Sequence, residues 1–205
     1  MKKATFFTAT LATIILMAFT SNRLHMEIYK IDTKLSLLEW YAEKVTGKHN
    51  GTIMFSAGEI KSDHGQLSGS FEVDMNSIVN TDIEEEEWKL KLENHLKNAD
   101  FFDVVNFPKS TFVITSATPI QEANTEGFTH TVKGSLTIKN KTNEISFKAI
   151  INIQNNKMSC VGSAVVDRSK FDVKYGSKTF FADIGDKMIY DEFTMKFNVV
   201  ANLVP

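Results

Sequence analysis

The chain has 205 residues, 42% hydrophobic and 23% charged, the make-up of an ordinary globular protein and not of a disordered or fibrous one. Its formal net charge is −2 and its lysines are scattered, which leaves no electrostatic footprint for a nucleic-acid backbone. Sixteen Phe against two Trp and four Tyr is an unusual skew. Phe has no polar handle, so it is buried or binds something apolar, and the skew favours a large apolar interior.

The opening "MKKATFFTATLATIILMAFT" places Lys2 and Lys3 before an apolar run from about Ala4 to Phe19, and the chain then turns polar at "SN". This is the pattern of a secretory signal: residues 1–22 are read as a signal peptide and residues 23–205 as one exported, periplasmic domain. An uncleaved anchor is the alternative, although the run is at the short end of the ~17–25 residues that span a bilayer. The only cysteine, Cys160, cannot form an intramolecular disulfide, so stability has to come from the core.

From about residue 25 onward the dominant signal is period-two alternation, the mark of strands with one buried and one solvated face. Segments near 35–45 and 50–63 come first; in the second, Ile53 and Phe55 compete with Met54 and Ile60 for the inward face. Then Leu67, Gly69, Phe71, Val73 and Met75 share one face. An insertion from Thr81 to Phe107 follows. Thr81 and Glu84 have capping-box spacing, Glu84 to Glu87 load a first turn with negative charge, and lysines come later, which predicts a helix. Trp88, Leu92, His95, Leu96 and Ala99 recur at three- and four-residue intervals and form the stripe expected to face the sheet. Phe101 and Phe102 then stand in a loop that stops at Pro108.

Alternation resumes with Phe112, Ile114 and Ser116, then with Phe128, His130, Val132, Gly134, Leu136 and Ile138. Ile145, Phe147, Ala149, Ile151 and Ile153 follow, and after them Met158, Cys160, Gly162, Ala164 and Val166. A second insertion, "YGSKTFFADIGDK", carries another pair, Phe180 and Phe181, before a last strand whose inward face is Phe193, Met195, Phe197, Val199 and Ala201. Turn residues such as "DHG", "KNKTN" and "QNNK" join the segments, so about eight strands form an antiparallel, hairpin-connected sheet. One continuous apolar face requires a second layer or closure, and helices are too few for a layer. The predicted fold is therefore all-β: an eight-stranded antiparallel barrel with one helical insertion and a short second helical or loop flap.

A small barrel is filled by its own side chains or holds one ligand. The inward faces mix large groups with Gly69, Gly134, Ala149, Gly162, Ala164 and Ala201. Glycines on strands also mark bends needed for closure, so this pattern by itself leaves both a filled interior and an elongated apolar cavity open.

Five blocks in order, "YKIDTKLSLLEWYAEKVTGKHNGTIMFSAGEI", "GSFEVDMNSIVNTD", "HLKNADFFDVVNFPKSTFVIT", "VKGSLTIKNKTNEISF" and "DRSKFDVKYGS", resemble the YceI-like family of exported bacterial lipid-binding barrels. The resemblance runs from about Tyr29 to Asn202, and Trp40, Lys44, Gly47, His49 and Gly51 match one branch's opening motif. It implies a lipocalin-like barrel whose long hydrophobic pore holds a polyisoprenoid or similar amphiphile, and a non-catalytic carrier role. On that reading the pore is lined by Phe71, Val73, Phe112, Ile114, Val132 and Leu136, with Phe147, Phe193, Met195 and Phe197 opposite. His130 would stand at the pore mouth, either meeting a head group or hydrogen-bonded at the rim. Phe101 and Phe102, and in a similar role Phe180 and Phe181, would form lids; the alternative is that they plug a dry core.

The histidines show no metal-motif spacing, and no nucleophile elbow or phosphate-binding glycine loop is present. Asp74 with Ser77 reads as a turn closing a strand, and Asp167 with Arg168 as an ion pair or loop anchor. The expected partner is a long-chain lipid or isoprenoid, with a quinone-like lipid and transient membrane contact as further expectations. An enzyme acting on a lipid in the same cavity, or a self-filled barrel serving partners, are the rival functions.

Overall fold

The computed structural model describes residues 26–121 and 125–205; the stretch expected to be a signal peptide, 1–22, and His25 lie outside them. The strands are β1 (Glu27–Ile31), β2 (Leu37–Lys44), β3 (Gly47–Asp63), β4 (Gln66–Asn80), β5 (Lys109–Pro119), β6 (His130–Ile138), β7 (Lys141–Gln154), β8 (Lys157–Asp167) and β9 (Ile189–Leu203). One helix, α1 (Glu86–Lys97), lies between β4 and β5. Every neighbouring pair from β2 to β9 is antiparallel, and β2 pairs with β9, so these eight strands close into a barrel without an open edge.

The short strand β1 stands outside that ring of eight. It pairs with the last residues of β3 (Tyr29 opposite Ile60) and of β9 (Tyr29 opposite Leu203), extending the slot that β2 occupies between the same two strands. Asp32 makes the break between them, its side chain accepting from the backbone N–H groups of Lys34 and Leu35. Three hairpins turn on two residues with positive φ: His64–Gly65, Lys139–Asn140 and Asn155–Asn156. That geometry matches the right-handed twist of the flanking strands and pins the register on either side.

Two bulges decide which side chains face inward. In β3 the register slips between Phe55 and Ala57, so Ile53 and Phe55 are buried on odd positions and Ile60 on an even one, while Met54 is exposed. The competition between those positions in the sequence is therefore resolved in favour of both sets. In β4 four residues, 75–78, stand opposite a single residue of β3, and Met75 and Ile78 both turn inward. The Asp74 carboxylate accepts from the Asn76 N–H, and the Ser77 hydroxyl donates to the Asp74 carbonyl at 2.6 Å. That pair is a turn, as its spacing suggested.

Helix α1 starts at Glu86 and not at Thr81, which instead bonds to Asn50. Leu92 and Leu96 pack on the core as expected, but Trp88 is exposed. The buried polar anchor is Glu93, whose carboxylate accepts the Asn80 N–H at 2.8 Å. This bond fixes the helix to the end of β4 and tilts Trp88 away from the sheet.

The barrel thus has two unlike ends. At one, α1, the loop 98–108 and the segment 168–188 converge over the starts of β5, β7 and β9. At the other, β1 supplies Tyr29 and Ile31, which are buried with Ile60, Leu67, Met158 and Ala201 in one cluster. Each such side chain contributes about 1.5–3 kcal/mol on burial, so the β1 end is a packed plug.

Candidate functional site

Between the plug and the lidded end the barrel encloses a cavity of about 220 Å³. Its wall is organised by a run of aromatic contacts: Phe55 to Phe71 (6.0 Å between ring centroids), Phe71 to Phe112 (6.5 Å), Phe112 to Phe147 (5.6 Å) and Phe147 to Phe197 (5.2 Å). These rings come from β3, β4, β5, β7 and β9. The intervening strands β6 and β8 contribute glycines there. A Cβ on Gly134 would lie 2.4 Å from the Phe112 ring, and one on Gly162 would lie 2.8 Å from the Phe197 ring. The small residues are therefore the floor on which rings lie, allowing aromatics two strands apart to touch. They do not themselves open the cavity.

The lidded end is closed by Leu96, Phe101 and Phe102. Backbone bonds from Phe102 N–H to the Leu96 carbonyl and from Val104 N–H to the Lys97 carbonyl fold the loop back under the helix. Phe101 is 6% exposed, with its ring 5.0 Å from that of His95 and 5.3 Å from that of Tyr175. Pro108 accepts from the Met75 N–H, fixing the loop's exit.

Polar groups on this wall are few, and the two largest, the Trp40 indole and the Arg168 guanidinium, are bonded to backbone. The Trp40 indole donates to the Val79 carbonyl at 3.2 Å. Arg168, 4% exposed, donates from Nε to Tyr190, from Nη1 to Val173 and Tyr175, and from Nη2 to Ile189, all backbone carbonyls. Its Nη2 also stands 3.3 Å from Asp191 Oδ1, an ion pair without a hydrogen bond. Burial pushes the Asp191 carboxyl up, but hydroxyls of Ser177 and Thr179 and the Arg168 charge outweigh it and hold the pKa below the ordinary value. Burial pushes the Cys160 thiol up to about 12, so it is protonated and a poor nucleophile at neutral pH.

A family model described as the YceI-like domain matches residues 29–201. The chain belongs to the YceI-like family. Solved structures with the same fold include BcnA of Burkholderia cenocepacia (TM-score 0.65, 22% identity, covering 84% of this chain and 99% of that one). A polyisoprenoid binding domain from Saccharophagus degradans, implicated in plant cell wall breakdown, gives 0.56 at 14% identity and covers 86% and 98%. The YCEI protein of Campylobacter jejuni gives 0.53 at 17% identity and covers all of both chains. At these identities the likeness is one of fold. No curated protein sequence matches at a significant level.

In this YceI-like barrel, Phe71, Val73, Phe112, Ile114, Val132 and Leu136 line the cavity, as do Phe147, Phe193, Met195 and Phe197. Phe101 and Phe102 complete its lidded end. Three expected residues stand elsewhere. His130 opens β6 at the plugged end, half-buried and off the cavity wall, with Nδ1 2.8 Å from the Thr129 hydroxyl. Phe180 and Phe181 are 40% and 48% exposed and do not cover the barrel. Backbone bonds from both N–H groups to the Ser177 carbonyl turn this pair outward.

The wall also holds residues that alternation did not reach. Leu38, Ile53, Ile60 and Ile78 come from β2 and the two bulged strands, and Ile189 and Tyr190 from the first turn of β9. Of the two readings of Asp167 with Arg168, the loop anchor holds: Asp167 caps the short 3-10 turn Arg168–Phe171, accepting from the Ser169 N–H, while the ion-pair partner of Arg168 is Asp191.

Proposed function

We propose that this protein is a periplasmic carrier that holds one slender apolar chain, a polyisoprenoid or similar long-chain amphiphile, inside the barrel. The observation that carries the reading is the cavity wall: a run of Phe rings with aliphatic side chains between them, and a Trp40 indole and an Arg168 guanidinium already bonded to backbone carbonyls. Such a wall offers burial of apolar surface, at about 25 cal/mol per Å², and few groups to orient a reaction. Membership of the YceI-like family agrees with it, and the Saccharophagus degradans relative is described as polyisoprenoid binding. Binding without turnover agrees with the same chemistry: the Cys160 thiol is a poor nucleophile at neutral pH and Arg168 is held by backbone carbonyls.

The lining sets the chemistry of the cargo. The wall of the cavity is almost wholly aliphatic and aromatic, so it suits the apolar chain of an amphiphile and not a polar molecule.

The test is to purify the exported protein from its native source, extract it with organic solvent, and compare the released species by mass spectrometry with a mock purification. A stoichiometric long-chain isoprenoid, quinone-like lipid or acyl amphiphile is the expected result. Because Cys160 is on the wall, the same preparation should resist a small apolar thiol reagent until it is delipidated. An extract identical to the mock, with thiol labelling unaffected by delipidation, would overturn the carrier reading.

A further inference from the structure

Exposed aromatic side chains are not spread over this molecule. Among the described residues, those counted as exposed are Trp88, Tyr175, Phe180, Phe181 and Tyr190, and all stand at the lidded end. The barrel wall exposes no aromatic side chain among the described residues, only smaller or flexible ones such as Met54, Val113 and Val165 and the cross-strand pair Ile150 and Val161. The asymmetry needs a cause, because Phe at a loop tip contributes nothing to the core.

The two sides of the lidded end differ in charge. Helix α1 and its flanks carry Asp82, Glu84, Glu85, Glu86, Glu87, Glu93, Asp100 and Asp103 against Lys89, Lys91 and Lys97. The side with Phe180 and Phe181 has the opposite balance. Lys170, Lys174, Lys178 and Lys187 share it with Asp172, Asp183, Asp186 and the half-buried Asp191, with Lys174 ion-paired to Asp172 at 2.9 Å, and the β6–β7 turn adds Lys139 and Lys141. That turn is docked on the segment: Lys139 Nζ donates to the Asp172 carbonyl and Asn143 to the Lys170 carbonyl.

The Phe pair is also held, not loose. Ser177 beneath it is fully buried, and the Thr179 hydroxyl donates to Asp191 at 2.6 Å. Arg168 grips the carbonyls of Val173 and Tyr175 just upstream, and Lys174 Nζ stands 5.4 Å from the Phe180 ring. A rigid stem that presents two apolar rings among lysines has the chemistry of an interfacial anchor, with rings entering the acyl boundary and ammonium groups at the phosphates.

We propose that the segment 168–188, with the β6–β7 turn beside it, is a docking surface for an anionic lipid bilayer, bringing the lidded end of the cavity to the membrane. The surface is independent of the cargo: an empty barrel would dock as well as a loaded one. Failure of the carrier reading and failure of docking are therefore separately visible. The acidic face of α1 points the opposite way in charge and would be held off the same surface, so the barrel docks tilted toward Phe180 and Phe181.

The experiment is co-sedimentation of the delipidated protein with vesicles of phosphatidylglycerol and phosphatidylethanolamine, and with vesicles of phosphatidylcholine alone. Binding to the anionic vesicles that weakens with added salt, and little binding to the neutral ones, is expected. A Phe180→Ser, Phe181→Ser double variant should lose about tenfold or more in vesicle affinity, because the rings no longer enter the interface. Lys174→Glu, Lys178→Glu should lose the anionic preference. Circular dichroism and Cys160 labelling should match the unaltered protein in both variants, since these side chains are off the cavity wall. A Val161→Ser, Val165→Ser variant on the barrel wall should bind vesicles normally. No binding to anionic vesicles, or full binding by the folded double-Phe variant, would overturn the proposal and point instead to a protein as the occupant of that face.

Discussion

The chain uses the same device twice, a Phe–Phe doublet in an insertion between strands, and the two doublets end in opposite environments. Phe101 and Phe102 face inward, where Phe101 meets His95, Tyr175 and the guanidinium of Arg168. Phe180 and Phe181 face outward, turned by their shared bond to the Ser177 carbonyl. The difference lies in the stem. The first loop is folded back by bonds to the last turn of α1, which aims its doublet at the cavity. The second is gripped upstream by Arg168 and at Thr179 by Asp191, which uses the loop's polar groups for the core and leaves the rings for solvent or a partner.

Arg168 is common to both, so its loss should have the largest effect. Arg168→Met removes the donors of four carbonyl bonds and leaves Asp191 without its ion pair. Breaking a buried pair of this kind costs about 3–5 kcal/mol. Urea denaturation should show the drop, and hydrogen exchange should show lost protection in 173–190 and in the Phe101 loop together. Protection lost in only one of the two would mean that the doublets are not coupled through this residue.

Truncating the doublets one ring at a time sharpens the contrast. Phe101→Ala should cost about 3–5 kcal/mol, the usual range for a buried Phe, and should speed Cys160 labelling by opening the lidded end. Phe181→Ala should stay within about 0.5 kcal/mol and leave labelling unchanged, as expected of an exposed site. Equal costs for the two would refute the assignment of one pair inward and the other outward.

A third substitution tests the aromatic wall that the inward doublet closes. In Gly134→Ala the added methyl meets the Phe112 ring at 2.4 Å and the Val113 carbonyl at 2.5 Å, and backbone cannot give way as easily as a ring. A loss of about 1–3 kcal/mol is expected, with a changed near-ultraviolet dichroism from the displaced Phe112. Phe112→Leu in the same background should recover part of it, because the ring's share of the clash disappears. No recovery would place the whole cost in the backbone contact.

Period-two alternation made most of this legible before any coordinates. The rings of Phe71, Phe112, Phe147 and Phe197 lie on the wall because alternation is unbroken around each of them in β4, β5, β7 and β9. Where a bulge interrupts it, as at Phe55/Ala57 and across 75–78, parity changes sides mid-strand and a reading of the sequence alone sees two competing faces. The doublets were hardest, since a loop has no period and adjacent Phe residues carry no direction. What turns one pair in and the other out is a set of bonds to Leu96, Ser177 and Asp191 that are distant in logic from the rings themselves. Arg168 was hidden for a different reason: a charged residue reads as solvated, and its burial is accounted for only by carbonyls collected from four places in the following segment.

The smallest expected effect concerns the end of the barrel away from both doublets. His130 is half-buried at the start of β6, and desolvation lowers its pKa from the ordinary 6.5. Folding therefore favours the neutral ring, and between the folded and unfolded pKa values the unfolded chain binds more protons. Its contribution to stability is fully present above about pH 6.5 and is lost as the pH falls through the folded value. Partial exposure keeps the slope shallow. Asp82 and Asp191, with pKa values below the ordinary 3.8, keep their contributions above that pH and lose them as the pH falls through their folded values. Urea midpoints measured from pH 7.5 down to about 5 should decline gently in the unaltered protein and less in His130→Gln, which has no titrating ring. An identical decline in both would show that the Thr129 contact, and not desolvation, governs this histidine, and that the plugged end is insensitive to pH.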